Sequence, residues 1–127
     1  MKVSRNTADS DPMHRDCPGR EIFQTITNRW TLLILWALKD NTRRFHELRD
    51  CVEGISERVL SQNLKTLCRS GLIDRHVEPT VPPKVSYSLT VTGRDLISVM
   101  EGITGWIARQ LPNIEKAQAR YDRRVGH

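Results

Sequence analysis

Between Arg43 and Lys84 the chain places two short apolar-striped segments, a glycine between them and a proline-interrupted alternation behind them, an order that few folds accommodate. In Arg44-Phe-His-Glu-Leu-Arg-Asp-Cys-Val52 the apolar positions Phe45, Leu48 and Cys51 or Val52 recur three and four residues apart. They therefore share one face of a helix and leave the charges on the other. Gly54 can leave that helix in a left-handed conformation without steric cost, and Ser56 can accept a hydrogen bond from a free amide of the next helix. Glu57 suits the positive end of that helix's dipole. Val59/Leu60, Leu64, Leu67 and Leu72 carry the stripe onward, with Arg58, Ser61, Gln62, Lys65 and Arg69 mostly off it. So brief a turn makes the two helices cross steeply, and the second becomes the candidate recognition helix. Ile73 to Glu78 and Val85 to Leu89 read as strands, separated by Thr80-Val-Pro-Pro-Lys84 because prolines cannot donate to a ladder. The expected fold class is mainly α with a small β-hairpin, a winged helix-turn-helix.

The flanks are simpler. Residues 1–16 mix charge, Ser, Thr and Pro without a period and read as a flexible N-terminal tail. Pro18 opens a helix through Ile22, Phe23 and Ile26. Thr27 or Asn28 then caps a helix from Arg29 to Leu38, which Asp40-Asn41 ends. The apolar run Trp30 to Leu38 is too short to cross a bilayer and is expected to be buried on most sides. Thr92-Gly-Arg-Asp95 resembles a capping box ahead of Leu96, Val99/Met100, Ile103, Trp106/Ile107 and Leu111 at helical spacing. Pro112 is expected to break that helix and to start another carrying Ile114 and Tyr121. The expected organisation is thus a winged domain with its dimerisation helices over 17–111 and a C-terminal helical extension over 112–127.

Twenty Lys and Arg against fifteen Asp and Glu give a net charge of +5 and favour a polyanionic partner. The placement says more than the total, since Arg43, Arg44, Arg49, Arg58, Lys65, Arg69, Arg75 and Lys84 crowd the two helices and the hairpin. The polar N-terminus shows no apolar leader, so a cytoplasmic protein is expected. An enzyme is not expected: no nucleophile stands with a base, no metal cluster is visible, and Cys-x-x-Cys is absent. Of the three cysteines, Cys51 and Cys68 fall near apolar helix faces and read as small buried hydrophobes. Cys17 precedes a helix start beside Arg15 and Arg20, a setting that favours thiolate; sensing and packing at an interface are both open to it. His14 and Cys17 are only two ligands, so neither a metal nor a cofactor is expected.

Taken together, Cys17-Pro18, Arg29-Trp-Thr-Leu-Leu-Ile-Leu35, Arg44-Phe-His-Glu-Leu48, Gly54-Ile-Ser56, Val59-Leu-Ser-Gln-Asn-Leu-Lys65, Gly71-Leu-Ile-Asp-Arg75, Val81-Pro-Pro-Lys-Val-Ser-Tyr-Ser-Leu-Thr90, Gly93 and Trp106 resemble the HxlR-type transcription regulators, a branch of the MarR-like winged-helix proteins. The resemblance runs from Cys17 to about Leu111. It implies a homodimer on pseudo-palindromic promoter DNA, with the terminal helices, and so Ile22, Phe23, Met100, Ile103, Trp106, Ile107 and Leu111, at the dimer interface. It also implies that Cys17 stands where some relatives sense oxidants or electrophiles. Two departures stand out: Asn28-Arg29 where the family often has Gly-Lys, and Asn63 where Gln or Arg is commoner.

A helix in the major groove specifies sequence through side chains that reach base edges, while phosphate contacts supply most of the affinity. Arg58 can offer its fork to guanine and Gln62 its amide to adenine. Ser56, Ser61 and Lys65 suit phosphates, Arg44 and Lys84 suit phosphate clamps, and Arg75, beside Ile73 and Val77 in the alternation, either contacts DNA or braces the wing. Two alternatives stay open: a winged-helix module that docks an acidic protein, and a regulator that answers to a noncovalent small-molecule ligand.

Overall fold

The computed structural model describes residues 18–126. Helix α1 spans Pro18–Ile26 and α2 spans Arg29–Ala37; a two-residue strand β1, Arg43–Arg44, leads into α3, Phe45–Cys51. Helix α4, Glu57–Arg69, is followed by β2, Ile73–Glu78, β3, Lys84–Leu89, and the long helix α5, Val91–Arg124. The winged helix-turn-helix expected from the sequence is present. Contacts divide the chain into two compact units, one ending at Asp95 and one beginning at Leu96.

Local chemistry sets the boundaries within the first unit. Asn28 caps α2 by accepting from the Trp30 N–H at 2.8 Å, and Ser56 caps α4 by accepting from the Val59 N–H at 3.1 Å. Gly54, at φ 88, makes the left-handed turn between α3 and α4 that a side chain would strain. The core of this unit is drawn from α2, α3, α4, β2 and β3 and the residues that flank them. Ile34, Leu35 and Leu38 meet Leu48, Leu60, Leu64 and Leu67, with Leu72, Ile73, Tyr87 and Leu89 closing it from the wing side. Each such aliphatic side chain contributes roughly 1.5–3 kcal/mol by leaving water.

The wing is a sheet rather than a hairpin alone. Strand order is β1-β3-β2, all antiparallel, with Arg43 opposite Tyr87 and Arg44 opposite Ser86. β2 and β3 pair from Ile73 opposite Leu89 to Glu78 opposite Lys84. Thr80 Oγ1 donates to the Pro82 carbonyl at 2.8 Å inside the connecting loop.

Several expectations are corrected. Pro112 lies inside α5, which continues to Arg124 instead of breaking. A single proline removes one backbone donor and clashes with one carbonyl, and a long helix absorbs that locally without ending. The cap of α5 is Thr90, not Thr92: its Oγ1 accepts from the Gly93 N–H at 3.0 Å and donates to the Gly71 carbonyl at 2.6 Å. Helix α2 buries Thr31, Ile34 and Leu35 but leaves Leu33 and Trp36 50% and 41% exposed, so it is a two-faced helix. Cys51 is exposed, because α3 ends there and the non-helical Val52, at φ −100 and ψ 87, turns inward in its place. No helix among the described residues is long and apolar enough to cross a membrane.

Candidate nucleic-acid interface

Helix α4 segregates its side chains sharply. Leu60, Leu64 and Leu67 are buried, whereas Arg58, Gln62 and Lys65 are exposed and Ser61 half-buried. A helix whose inner face is fixed by three leucines presents its outer face in one orientation, which direct readout of a groove needs. Arg49 of α3 pairs with Glu57 at the start of α4. That pair lies across the turn and, being exposed, adds little to stability.

The basic residues separate into two groups. Arg43 Nε donates to the Ala37 carbonyl at 2.6 Å, closing the C-terminus of α2. Arg69 reaches Glu21 at 3.4 Å, and Arg94 reaches the Lys39 carbonyl at 3.4 Å. Among the described residues, Arg44, Arg58, Lys65, Arg75 and Lys84 form no ion pair. These five carry uncommitted charge, and all were singled out from the sequence. Arg43, Arg49 and Arg69, which belong to the same basic cluster in the sequence, already have partners within the fold.

Two clefts organise the free charges. Arg44 and Lys84 line one of about 350 Å³ on the sheet, together with His76, whose Nε2 lies 2.8 Å from the Ser88 hydroxyl. The two expected phosphate clamps are thus brought together by the pairing of β1 with β3, a strand that no alternation in Arg43-Arg44 could reveal. Ser61, Lys65 and Arg75 line a second cleft of about 380 Å³ with Cys68 and Tyr87. Arg75 therefore sits between the wing and α4. Burial pushes the Cys68 thiol up from its ordinary value; Arg75 opposes this and Asp74 adds to it. Ser56 spends an acceptor lone pair on its cap and keeps its hydroxyl hydrogen for another partner.

Ile22 and Phe23 of α1 are 42% and 49% exposed. In the second unit Ile103, Trp106, Ile107 and Leu111, three and four residues apart on α5, are each between 44% and 51% exposed. Such a stripe is apolar surface with no cover in the single chain. Cys17 lies outside the described residues. No group of three or more His, Cys, Asp or Glu among the described residues could hold a metal ion.

A helix-turn-helix with a free basic face, backed by a three-stranded wing, defines a winged-helix transcription regulator of the MarR-like kind. Residues 25–115 match the HxlR-like helix-turn-helix family, and the chain belongs to it. It is 36% identical over 114 residues to the HTH-type transcriptional regulator YtfH of Escherichia coli, covering 90% of each chain. The solved structure of ytfH from Salmonella typhimurium superimposes with a TM-score of 0.74 at 39% identity, over 83% of this chain and 94% of that one. The diamide-treated form of YodB from Bacillus subtilis gives 0.64 at 33% identity, over 73% and 93%.

Proposed function

We propose that this transcription regulator binds a pseudo-palindromic operator as a homodimer, with α4 in the major groove and the wing on the flanking backbone. The observation that carries the reading is the division of α4, three leucines inward and Arg58, Gln62 and Lys65 outward without an ion pair among the described residues. Arg58 and Gln62 read base edges; Ser56, Ser61 and Lys65 meet phosphates beside them; Arg44 and Lys84 clamp the backbone from one cleft. Arg75 braces the wing against α4 and lends its charge to the same surface. The uncovered stripe of α5, with Ile22 and Phe23 on α1, supplies the surfaces through which two chains associate. A two-fold pair of recognition helices then meets half-sites roughly 34 Å apart.

The signal in this reading is thiol oxidation at Cys17. A related fold has been solved after treatment with diamide, a thiol oxidant, and Cys17 directly precedes α1. A thiol before a helix N-terminus gains thiolate character from the dipole. The experiment is a gel shift on the chain's own upstream DNA with nonspecific competitor, for wild type and Cys17→Ser, before and after diamide. Specific binding that changes with diamide in wild type alone supports the reading. An unchanged response in Cys17→Ser moves the sensor elsewhere, and absence of any specific complex removes the operator.

A further inference from the structure

The cleft between α4 and the wing contains a polar group that the core leaves unanswered. Tyr87 is 9% exposed and closes the core from the wing side, yet its hydroxyl has no hydrogen-bond partner among the described residues. A buried phenol ordinarily finds one. Unlike Thr31 Oγ1, the Tyr87 oxygen is not sealed from solvent. Tyr87 lines the cleft of about 380 Å³, so a molecule seated there can answer it.

The rest of the lining comes from two facing surfaces. Leu64, Lys65 and Cys68 follow Ser61 by three, four and seven residues, which stacks all four on one face of α4. Arg75 stands directly opposite Tyr87 in the pairing of β2 with β3, so the two side chains leave the same face of the sheet, with their Cβ atoms about 5 Å apart. Arg75 is also near enough to the Cys68 thiol to oppose the rise that burial imposes on it, which ties the wing cation to the helix face. Asp74 acts on that thiol too, but alternation along β2 turns it to the other face of the sheet. Among the described residues, Lys65 and Arg75 have no ion pair and the Ser61 hydroxyl no hydrogen bond. No carboxylate lines the cleft. Two free cations and two free hydroxyls therefore converge on one space from helix and sheet. Donors spread over two sides match a tetrahedral anion with three or more acceptor oxygens better than a planar carboxylate with two. The doubled positive charge and the guanidinium fork suit phosphate in particular.

We propose that this cleft is a phosphate-binding site, in which Arg75 and Lys65 hold the charge and the Ser61 and Tyr87 hydroxyls donate to the remaining oxygens. Two sources present that chemistry: the backbone of DNA, and free phosphate or a phosphate monoester. The first rests on the reading of α4 as the helix that faces DNA, and gives Tyr87 the task of seating one backbone phosphate between helix and wing. The site itself rests only on its lining.

The full chain is titrated with inorganic phosphate at constant ionic strength, with acetate as the planar control. NMR follows the Arg75 guanidinium, and mass spectrometry follows alkylation of Cys68, with Cys51, outside the cleft, as the internal reference. Phosphate should shift Arg75 saturably and slow Cys68 alone. Tyr87→Phe removes one oxygen and keeps the ring in the core; it should weaken phosphate about tenfold, and Arg75→Gln, on the surface, at least as much. Operator and nonspecific DNA are measured beside this across a salt series. With the backbone as source, Tyr87→Phe lowers both DNA affinities and Arg75→Gln reduces the salt slope by about 1. With a free phosphate as source, Tyr87→Phe weakens phosphate and leaves DNA affinity unchanged. Wild-type affinity of Tyr87→Phe for both phosphate and DNA overturns the site. So does absence of phosphate binding together with unchanged DNA affinity, or acetate binding as tight as phosphate. Saturable phosphate binding by a chain that binds no DNA removes the operator reading and leaves the site standing.

Discussion

Gly93 backs directly onto Leu72: a Cβ built on Gly93 would collide with the Leu72 carbonyl oxygen and stand 3.2 Å from Leu89 Cδ2. The first turn of α5 therefore lies flush against the backbone entering β2, in the place where Thr90 bonds the Gly71 carbonyl. Gly93→Ala must push backbone from backbone and should cost about 1–3 kcal/mol, as overpacking does. Urea unfolding checks it, and a variant as stable as wild type would show that the turn can slide away at no cost.

Thr31 carries the opposite expectation. Replacing an unpaired buried hydroxyl by a methyl of the same shape should stabilise the protein, by about 1 kcal/mol, since the polar group is no longer desolvated without a partner. Thermal unfolding of Thr31→Val reads this out. A lower midpoint would mean that the hydroxyl is satisfied in solution.

The thiols should react in a defined order. Cys51 is exposed, while burial raises the Cys68 pKa against the partial opposition of Arg75. Alkylation near neutral pH should label Cys51 well before Cys68, as followed by mass spectrometry. The sign for stability follows from the same shift: a thiol held neutral in the fold contributes stability that is present below the ordinary thiol range. That contribution is lost as pH rises through the raised folded value. Labelling of Cys68 ahead of Cys51 would contradict the burial argument.

Much of this was legible because it depends on neighbours in sequence. The caps Asn28 and Ser56, the turn at Gly54 and the division of α4 follow from three- and four-residue spacings and from side chains that bond amides two or three residues away. What escaped depends on distant partners. Arg43-Arg44 carries no strand pattern and becomes β1 only because Tyr87 and Ser86 stand opposite it. Thr90 displaced Thr92 as the cap because its hydroxyl also answers the Gly71 carbonyl, nineteen residues back. Helix α5 passes through Pro112 because its length outweighs one lost bond, and the orphan hydroxyl of Thr31 is visible only once α2 is packed.

Association should depend on the α5 stripe. Ile107, 44% exposed between Ile103 and Leu111, is the centre of an apolar face, and Ile107→Asp puts a charge there that a dry interface cannot take. Light scattering should give a dimer for wild type and a monomer for the variant, with operator affinity lost in parallel. A wild-type monomer at micromolar concentration would contradict the dimer.

The central claim is that α4 and the wing divide the work on DNA, bases to one and phosphates to the other. Operator and nonspecific affinities measured across a salt series for wild type, Lys84→Ala and Gln62→Ala test it most directly. Wild type should weaken steeply with salt; Lys84→Ala should lower both affinities and reduce the salt slope by about 1, one phosphate contact's worth. Gln62→Ala should keep the wild-type slope and lose preference for the operator by about 1–3 kcal/mol. Binding independent of salt, or a Gln62→Ala variant that discriminates as well as wild type, would contradict the account.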